Sequence, residues 1–180
     1  YNLFKTPKFI GLENYISILT DASVMKVFAT TFKYAFLTVP LELGFALFIA
    51  YILNFKIRGV NFFRTIYYIP SILGGSVSIA VLWRFLFKTD GLINMILGKF
   101  GVAPFNWLGS TSGAFWVIVL LKVWQFGSPM VIFLAALKSV PEDLYEAASL
   151  DGATKLRQFV KITLPLISPM VFYNFVTQLC

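Results

Sequence analysis

Lys122, Gln125 and Ser128 recur at helical spacing inside one long apolar stretch, and Asn174 and Gln178, four residues apart with Thr177 nearby, recur inside another. Amides, hydroxyls and an ammonium group supply donors and acceptors for a polar solute, and Trp124 and Tyr173 offer it an aromatic face. A charge in hydrocarbon costs about 2.5–3.5 kcal/mol on insertion scales, so such groups face a bundle interior or a water-filled path. Hydrogen bonding between packed helices would also place Gln, Ser and Asn on buried faces. Both readings stand on the residues alone. Glu42, near the middle of a third apolar stretch, is expected to pair with a polar group outside this sequence, on another helix or a partner subunit. Enzyme chemistry finds little here. There is no His, and the single Cys is the last residue, Cys180. A nucleophile with its base is therefore lacking, and a zinc site would have to be built from carboxylates alone.

A second constellation lies between the apolar stretches: Glu146-Ala147-Ala148, then Gly152, then Ile162-Thr163-Leu164-Pro165. Its local chemistry predicts two short helices at an angle. Ser139-Val140-Pro141-Glu142 matches the capping box that satisfies orphaned N–H groups at a helix start. Pro141 is tolerated in that first turn, and Glu142, Asp143 and Glu146 suit the positive end of the helix dipole. The helix should run to about Leu150 and end at Gly152 in a left-handed conformation. Thr154 can cap a second helix, with Leu156, Phe159 and Val160 on one face and Lys155, Arg157 and Lys161 on another. Pro165 and Pro169 are expected where the chain turns into the last apolar stretch.

The elements that carry these residues follow from composition. Of 180 residues, 58% are hydrophobic and 13% charged, against roughly a quarter charged in soluble domains. Four stretches have the ~20 apolar residues needed to cross a bilayer: 34–53, 66–87, 114–137 and 163–180. The expected class is all-α, a polytopic transmembrane bundle with a cytoplasmic loop at 138–162. Because the last span is still apolar at Cys180 and the chain opens on Tyr1, a fragment is expected, cut at both ends. The positive-inside rule places 54–65 (Lys56, Arg58, Arg64) and 138–162 (Lys138, Lys155, Arg157, Lys161) in the cytoplasm. Lys5, Lys8, Lys26 and Lys33 in the first segment argue the other way. The outer segment between Lys88 and Ser112 should carry a short amphipathic piece, Leu92, Ile93, Ile96 and Leu97, on the membrane surface. Ser71, Gly74, Gly75 and Ser78 form a small-residue face suited to close helix packing. Pro40 and Pro70 should bend or start helices, and Arg84 can snorkel to the outer interface. The net charge of +7 comes without a compact basic run, which gives no sign of nucleic-acid binding.

With its full spacing, the Glu146-to-Pro165 pattern resembles the cytoplasmic signature of the membrane subunits of binding-protein-dependent ABC importers. The frame Leu144-Tyr145-Glu146-Ala147-Ala148-x-x-Asp151-Gly152-Ala153 is similar to that of the carbohydrate-importing branch. Further likeness lies in Phe9-Ile10-Gly11-Leu12-Glu13-Asn14-Tyr15, Phe62-Phe63-Arg64 with Tyr68-Ile69-Pro70, Asn106-Trp107-Leu108, and Leu134-Ala135-Ala136-Leu137. The resemblance implies one more span before Tyr1 and at least one after the fourth. It implies that Glu146, Ala147, Ala148, Asp151, Gly152 and Ala153 dock into a separate cytoplasmic ATPase and couple it to the spans. A substrate path would then use Asn174, Gln178, Gln125, Lys122 and Trp124.

No Gly-x-x-x-x-Gly-Lys-Ser/Thr loop is present, so ATP and Mg are expected on the partner ATPase, with no cofactor in this chain. The other expected partners are a second permease subunit forming a heterodimer, an external solute-binding protein, and membrane lipid. The expected location is the bacterial inner membrane. Two alternatives remain: a permease for a non-sugar solute such as a polyamine, osmolyte or amino acid, and a non-transporting membrane assembly or channel subunit.

Overall fold

The structure, a computed structural model, describes residues 11–55 and 59–179. Readings that rest on Tyr1, Lys5, Lys8, Phe9, Ile10, Lys56, Arg58 and Cys180 lie outside the described residues. Within them, every regular element is helical.

The chain divides into two units at Phe36 and Leu37. In the first, α1 (Glu13–Thr20) is followed by the start of α2 (Ala22–Asn54). The Asp21 carboxylate accepts from the Ser23 N–H at 2.7 Å, capping α2. α2 has 33 residues, about 50 Å at 1.5 Å per residue, enough to cross a bilayer with length to spare. Pro40 lies inside it.

The second unit holds the rest of α2 and α3 (Val60–Leu73), α4 (Val77–Leu86), α5 (Leu92–Lys99), α6 (Thr111–Trp124) and α7 (Gly127–Ser139). After these come α8 (Glu142–Leu150), α9 (Lys155–Gln158), a π-helical segment (Phe159–Thr163) and α10 (Leu164–Leu179). α7 lies against α3 and α10. Ala46 and Ala50 of α2, Met130 and Phe133 of α7, and Ile167 of α10 are almost wholly buried in one core. Phe126, at the start of α7, stacks edge-on against Phe45 at 4.7 Å.

Two expected spans are not single helices. The 66–87 stretch falls into α3 and α4, bent by 99° across residues 74–76. Gly74 and Gly75 loosen the helix there, and Ser76 restarts it by accepting from the Ile79 N–H. The small residues serve both a break and a packed face. A Cβ at Gly75 would meet nothing within 4 Å among the described residues, but one at Gly74 would strike the Gln125 side chain, and a Cβ at Gly127 would lie 2.8 Å from Ser71 Oγ. The 114–137 stretch falls into α6 and α7, bent by 41° at Gln125–Phe126. Pro70 starts no helix; it lies buried inside α3.

The segment between Lys88 and Ser112 does carry the expected short helix, α5. Its Asn94, 4% exposed, is the hub. Asn94 Nδ2 donates to the carbonyls of Thr89 and Phe105, at 3.0 and 2.8 Å, and its Oδ1 accepts from Trp107 Nε1 at 2.9 Å. One buried amide thereby satisfies a loop that would otherwise leave backbone groups unpaired.

Candidate functional site

The loop after α7 begins without the expected capping box. Ser139 is the last residue of α7, and its hydroxyl donates back to the Ala136 carbonyl at 2.8 Å. α8 starts instead at Pro141, whose extended backbone turns the chain and whose missing N–H costs nothing there. Glu142 and Asp143 occupy the first turn, where the helix dipole favours them.

The end of α8 is a Schellman motif. Ala153 N–H donates to the Ala148 carbonyl at 2.9 Å, and Gly152 N–H to the Ser149 carbonyl at 3.1 Å. Gly152 has φ +74°, the left-handed value that a Cβ resists. Thr154 then caps α9, its side chain accepting from the Arg157 N–H.

Beyond Thr154 the chain does not form the expected second, free-standing helix. α9, the π segment and α10 make one helical run, Lys155–Leu179, 25 residues long. The Leu164 N–H reaches back to the Phe159 carbonyl, five residues away. Pro165 and Pro169 lie inside the α10 run rather than at a turn into it. The chain changes direction at 151–154, before the prolines.

Side chains staple α8 to this run. Gln158, 2% exposed, donates to Ser149 Oγ at 2.8 Å and reaches the carbonyls of Ala153 and Tyr145 at 3.3 and 3.4 Å. Tyr145 Oη and Thr163 Oγ1 share a hydrogen bond of 2.7 Å. Glu146, Ala147, Asp151 and Gly152 face outward; Ala148 and Ala153 are half-buried. Beside them Leu150 is 90% exposed and Leu156 74%. The loop therefore offers a small, rigid knob with two bare leucines and carboxylates, a shape suited to seating in another surface. Sequence reasoning does not single out Gln158 or Leu150. A lone amide between Leu156 and Phe159 is the available signal for Gln158.

The polar residues within the apolar helices come together in part. Lys122 Nζ donates to Gln178 Oε1 at 2.8 Å and lies 3.5 Å from Glu42 Oε2. Glu42 thus finds its counter-ion within this chain, not outside it as expected. Asn174 is 1% exposed, and its Nδ2 has no hydrogen-bond partner among the described residues. Lys122, Gln125 and Ser128 do not continue along one helix. α6 ends at Trp124, Gln125 caps it, and Ser128 lies exposed in α7. Gln125 instead lies across Gly74: a Cβ at 74 would fall 2.2 Å from its Cδ. Trp124 stacks on Trp83 at 5.4 Å, and Trp83 Nε1 donates to the Val117 carbonyl. Tyr173 is 54% exposed.

Residues 34–180 match the family described as "Binding-protein-dependent transport system inner membrane component". Over 180 residues the chain is 48% identical to "Probable ABC transporter permease protein YesP" of Bacillus subtilis (strain 168), covering 99% of this chain and 58% of that one. It is 37% identical over 174 residues to "sn-glycerol-3-phosphate transport system permease protein UgpA" of Salmonella choleraesuis (strain SC-B67), covering 96% and 58%. It is 38% identical over 165 residues to "Trehalose/maltose transport system permease protein MalF" of Thermococcus litoralis, covering 91% and 56%. The chain thus spans little more than half the length of these relatives. In fold it is similar to a bacterial ABC transporter involved in the import of the acidic polysaccharide alginate: the TM-score is 0.82 at 24% identity, over 97% of this chain and 62% of that one.

Proposed function

From a chain that belongs to the family of binding-protein-dependent transport system inner membrane components, we propose a permease subunit of an ATP-driven importer for a sugar or sugar-like solute. One observation carries this reading: the knob formed by α8 and its Gly152 turn is stapled to a 25-residue helix apolar enough to cross a membrane. A partner that pushed on the knob would move that helix as a unit. Glu146, Ala147, Ala148, Asp151, Gly152 and Ala153 form the surface that meets a cytoplasmic ATPase, which holds the ATP and Mg. A second permease subunit completes the membrane part, and an external solute-binding protein delivers the solute. The location is the bacterial inner membrane, crossed several times.

Asn174, Gln178, Gln125, Lys122 and Trp124 are proposed to border the solute's path. In support, Asn174 has a buried amide donor with no partner among the described residues, and Lys122 keeps a third of its side chain exposed. The sugar class rests on the Tyr145-to-Ala153 frame and on the solute named for the trehalose/maltose relative; the glycerol phosphate named for another is likewise a small polyol derivative.

The test is reconstitution of the full-length chain with its ATPase, second permease and binding protein in liposomes. ATP-dependent uptake of a labelled mono- or oligosaccharide is expected. Uptake of a polyamine, osmolyte or amino acid in its place would overturn the sugar class. Failure to bind any ATPase would favour the assembly-subunit reading.

A further inference from the structure

Glu42, Lys122 and Gln178 come from α2, α6 and α10, and they meet at one ammonium group. Glu42 is 1% exposed, and a buried carboxylate with its cation removed is strongly destabilising. Yet the Lys122–Glu42 distance of 3.5 Å exceeds the roughly 2.7–2.9 Å of a charge-assisted hydrogen bond. The short contact, 2.8 Å, goes to the neutral amide of Gln178. An ammonium has three donors, so a hydroxyl could take the place of Gln178 on Nζ. No neutral group could take the place of Lys122 beside Glu42. The two contacts therefore differ in kind: one is fixed by charge, the other is exchangeable.

Gln178 lies twenty residues beyond Gln158 on the Lys155–Leu179 helical run. The first turn of that helix is stapled to α8 through Gln158, and Thr163 is joined to Tyr145. From 158 to 178 the helix covers about 30 Å at 1.5 Å per residue. A change at Gln178 is thus mechanically joined to the outward-facing knob.

We infer that the Lys122–Gln178 hydrogen bond is a releasable latch. It holds the loop-bearing helix to α6 at Gln178, and its exchange for a solute hydroxyl frees that helix and so reaches α8. Lys122 and Gln178 act as positioning residues for coupling. The inference rests on the transport reading above.

The test uses the whole transporter in liposomes and reads ATP hydrolysis with and without loaded binding protein. Gln178→Leu and Gln178→Glu leave the counter-ion of Glu42 in place. Lys122→Met is made only together with Glu42→Gln, so that no buried charge is orphaned. Gln178→Leu should raise basal hydrolysis by about ten- to a hundredfold, the worth of one hydrogen bond to a charged group. The stimulation ratio should shrink accordingly. Gln178→Glu, which turns the latch into an ion pair, should lower both rates. The Glu42→Gln/Lys122→Met pair should resemble Gln178→Leu, and the triple variant should be no worse than either. Additive effects overturn the latch, as does a Gln178→Leu variant with normal basal rate and only a raised KM for uptake. A wild-type transporter that shows no stimulation at all overturns the transport reading itself, and the latch with it.

Discussion

Gly127 and Tyr67 meet backbone to backbone: a Cβ on Gly127 would lie 2.6 Å from the Tyr67 carbonyl oxygen. The next main-chain obstacle is Tyr68 Cα at 2.9 Å. Gly127→Ala must therefore push α3 and α7 apart. A cost of about 1–3 kcal/mol is expected, the range for overpacking a core. The three atoms nearest a Cβ at Gly74 all belong to the Gln125 side chain, which can swing aside, so the loss in Gly74→Ala should be smaller. Thermal unfolding of the detergent-solubilised full-length chain compares the two. Equal losses would count against the backbone contact.

Gly152 offers a separate test of conformation against bulk. Its φ of +74° is strained for any residue with a Cβ, but a Cβ there meets nothing within 4 Å among the described residues. Gly152→Asn should be tolerated better than Gly152→Val, because Asn visits the left-handed region more readily. Val is expected to cost about 1–2 kcal/mol locally and to abolish coupled hydrolysis while the subunit still inserts. If Asn and Val fail alike in stimulated ATP hydrolysis, close approach by a partner rather than φ decides the position.

Gln158→Leu removes the staple between α8 and the following helix. It leaves Ser149 Oγ without this donor, although that hydroxyl still donates to the Tyr145 carbonyl at 2.7 Å. A loss of about 1–2 kcal/mol in the loop is expected. Hydrogen exchange should speed up across 142–153 while α7 is unchanged. Tyr145→Phe, which removes only the bond to Thr163, should show a weaker form of the same effect. Unaltered exchange in Gln158→Leu would mean that the Schellman turn and the Tyr145–Thr163 bond hold α8 without Gln158.

Single cysteines at Ser112 and Ser139 of the full-length chain test the orientation. Both residues are exposed. Ser112→Cys should react with an impermeant thiol reagent in spheroplasts, and Ser139→Cys only after lysis. The reverse pattern would invert the topology drawn from the basic segments.

Local backbone chemistry was the most legible part of the sequence. Gly152 as a left-handed stop and Thr154 as a cap follow from steric and hydrogen-bonding rules that act within a few residues, and both are present. The short helix at Leu92–Lys99 was equally readable from its apolar spacing. Hydropathy was a poorer guide to continuity. A run of apolar residues such as 66–87 looks the same to hydropathy whether straight or bent, and here it breaks at Gly74-Gly75-Ser76. The capping box at Ser139 failed because α7 persists to that residue and claims its hydroxyl. Glu42 and Lys122 lie far apart in sequence; their pairing is a tertiary fact, with no local signal. The same holds for Asn94, whose partners at 89, 105 and 107 are set by the fold of the segment.

The π-helical turn at Phe159–Thr163 also sets a phase. One residue more per turn than an α-helix means that everything after Thr163 is rotated about the axis relative to everything before it. The same residues wound as a plain α-helix would turn Asn174 and Gln178 by about 100° against Gln158, the angle by which each α-helical residue advances. Gln178 would then point away from Lys122 while the knob stayed seated on Gln158. The extra residue acts as a key that registers the face carrying the amides to the face carrying the loop.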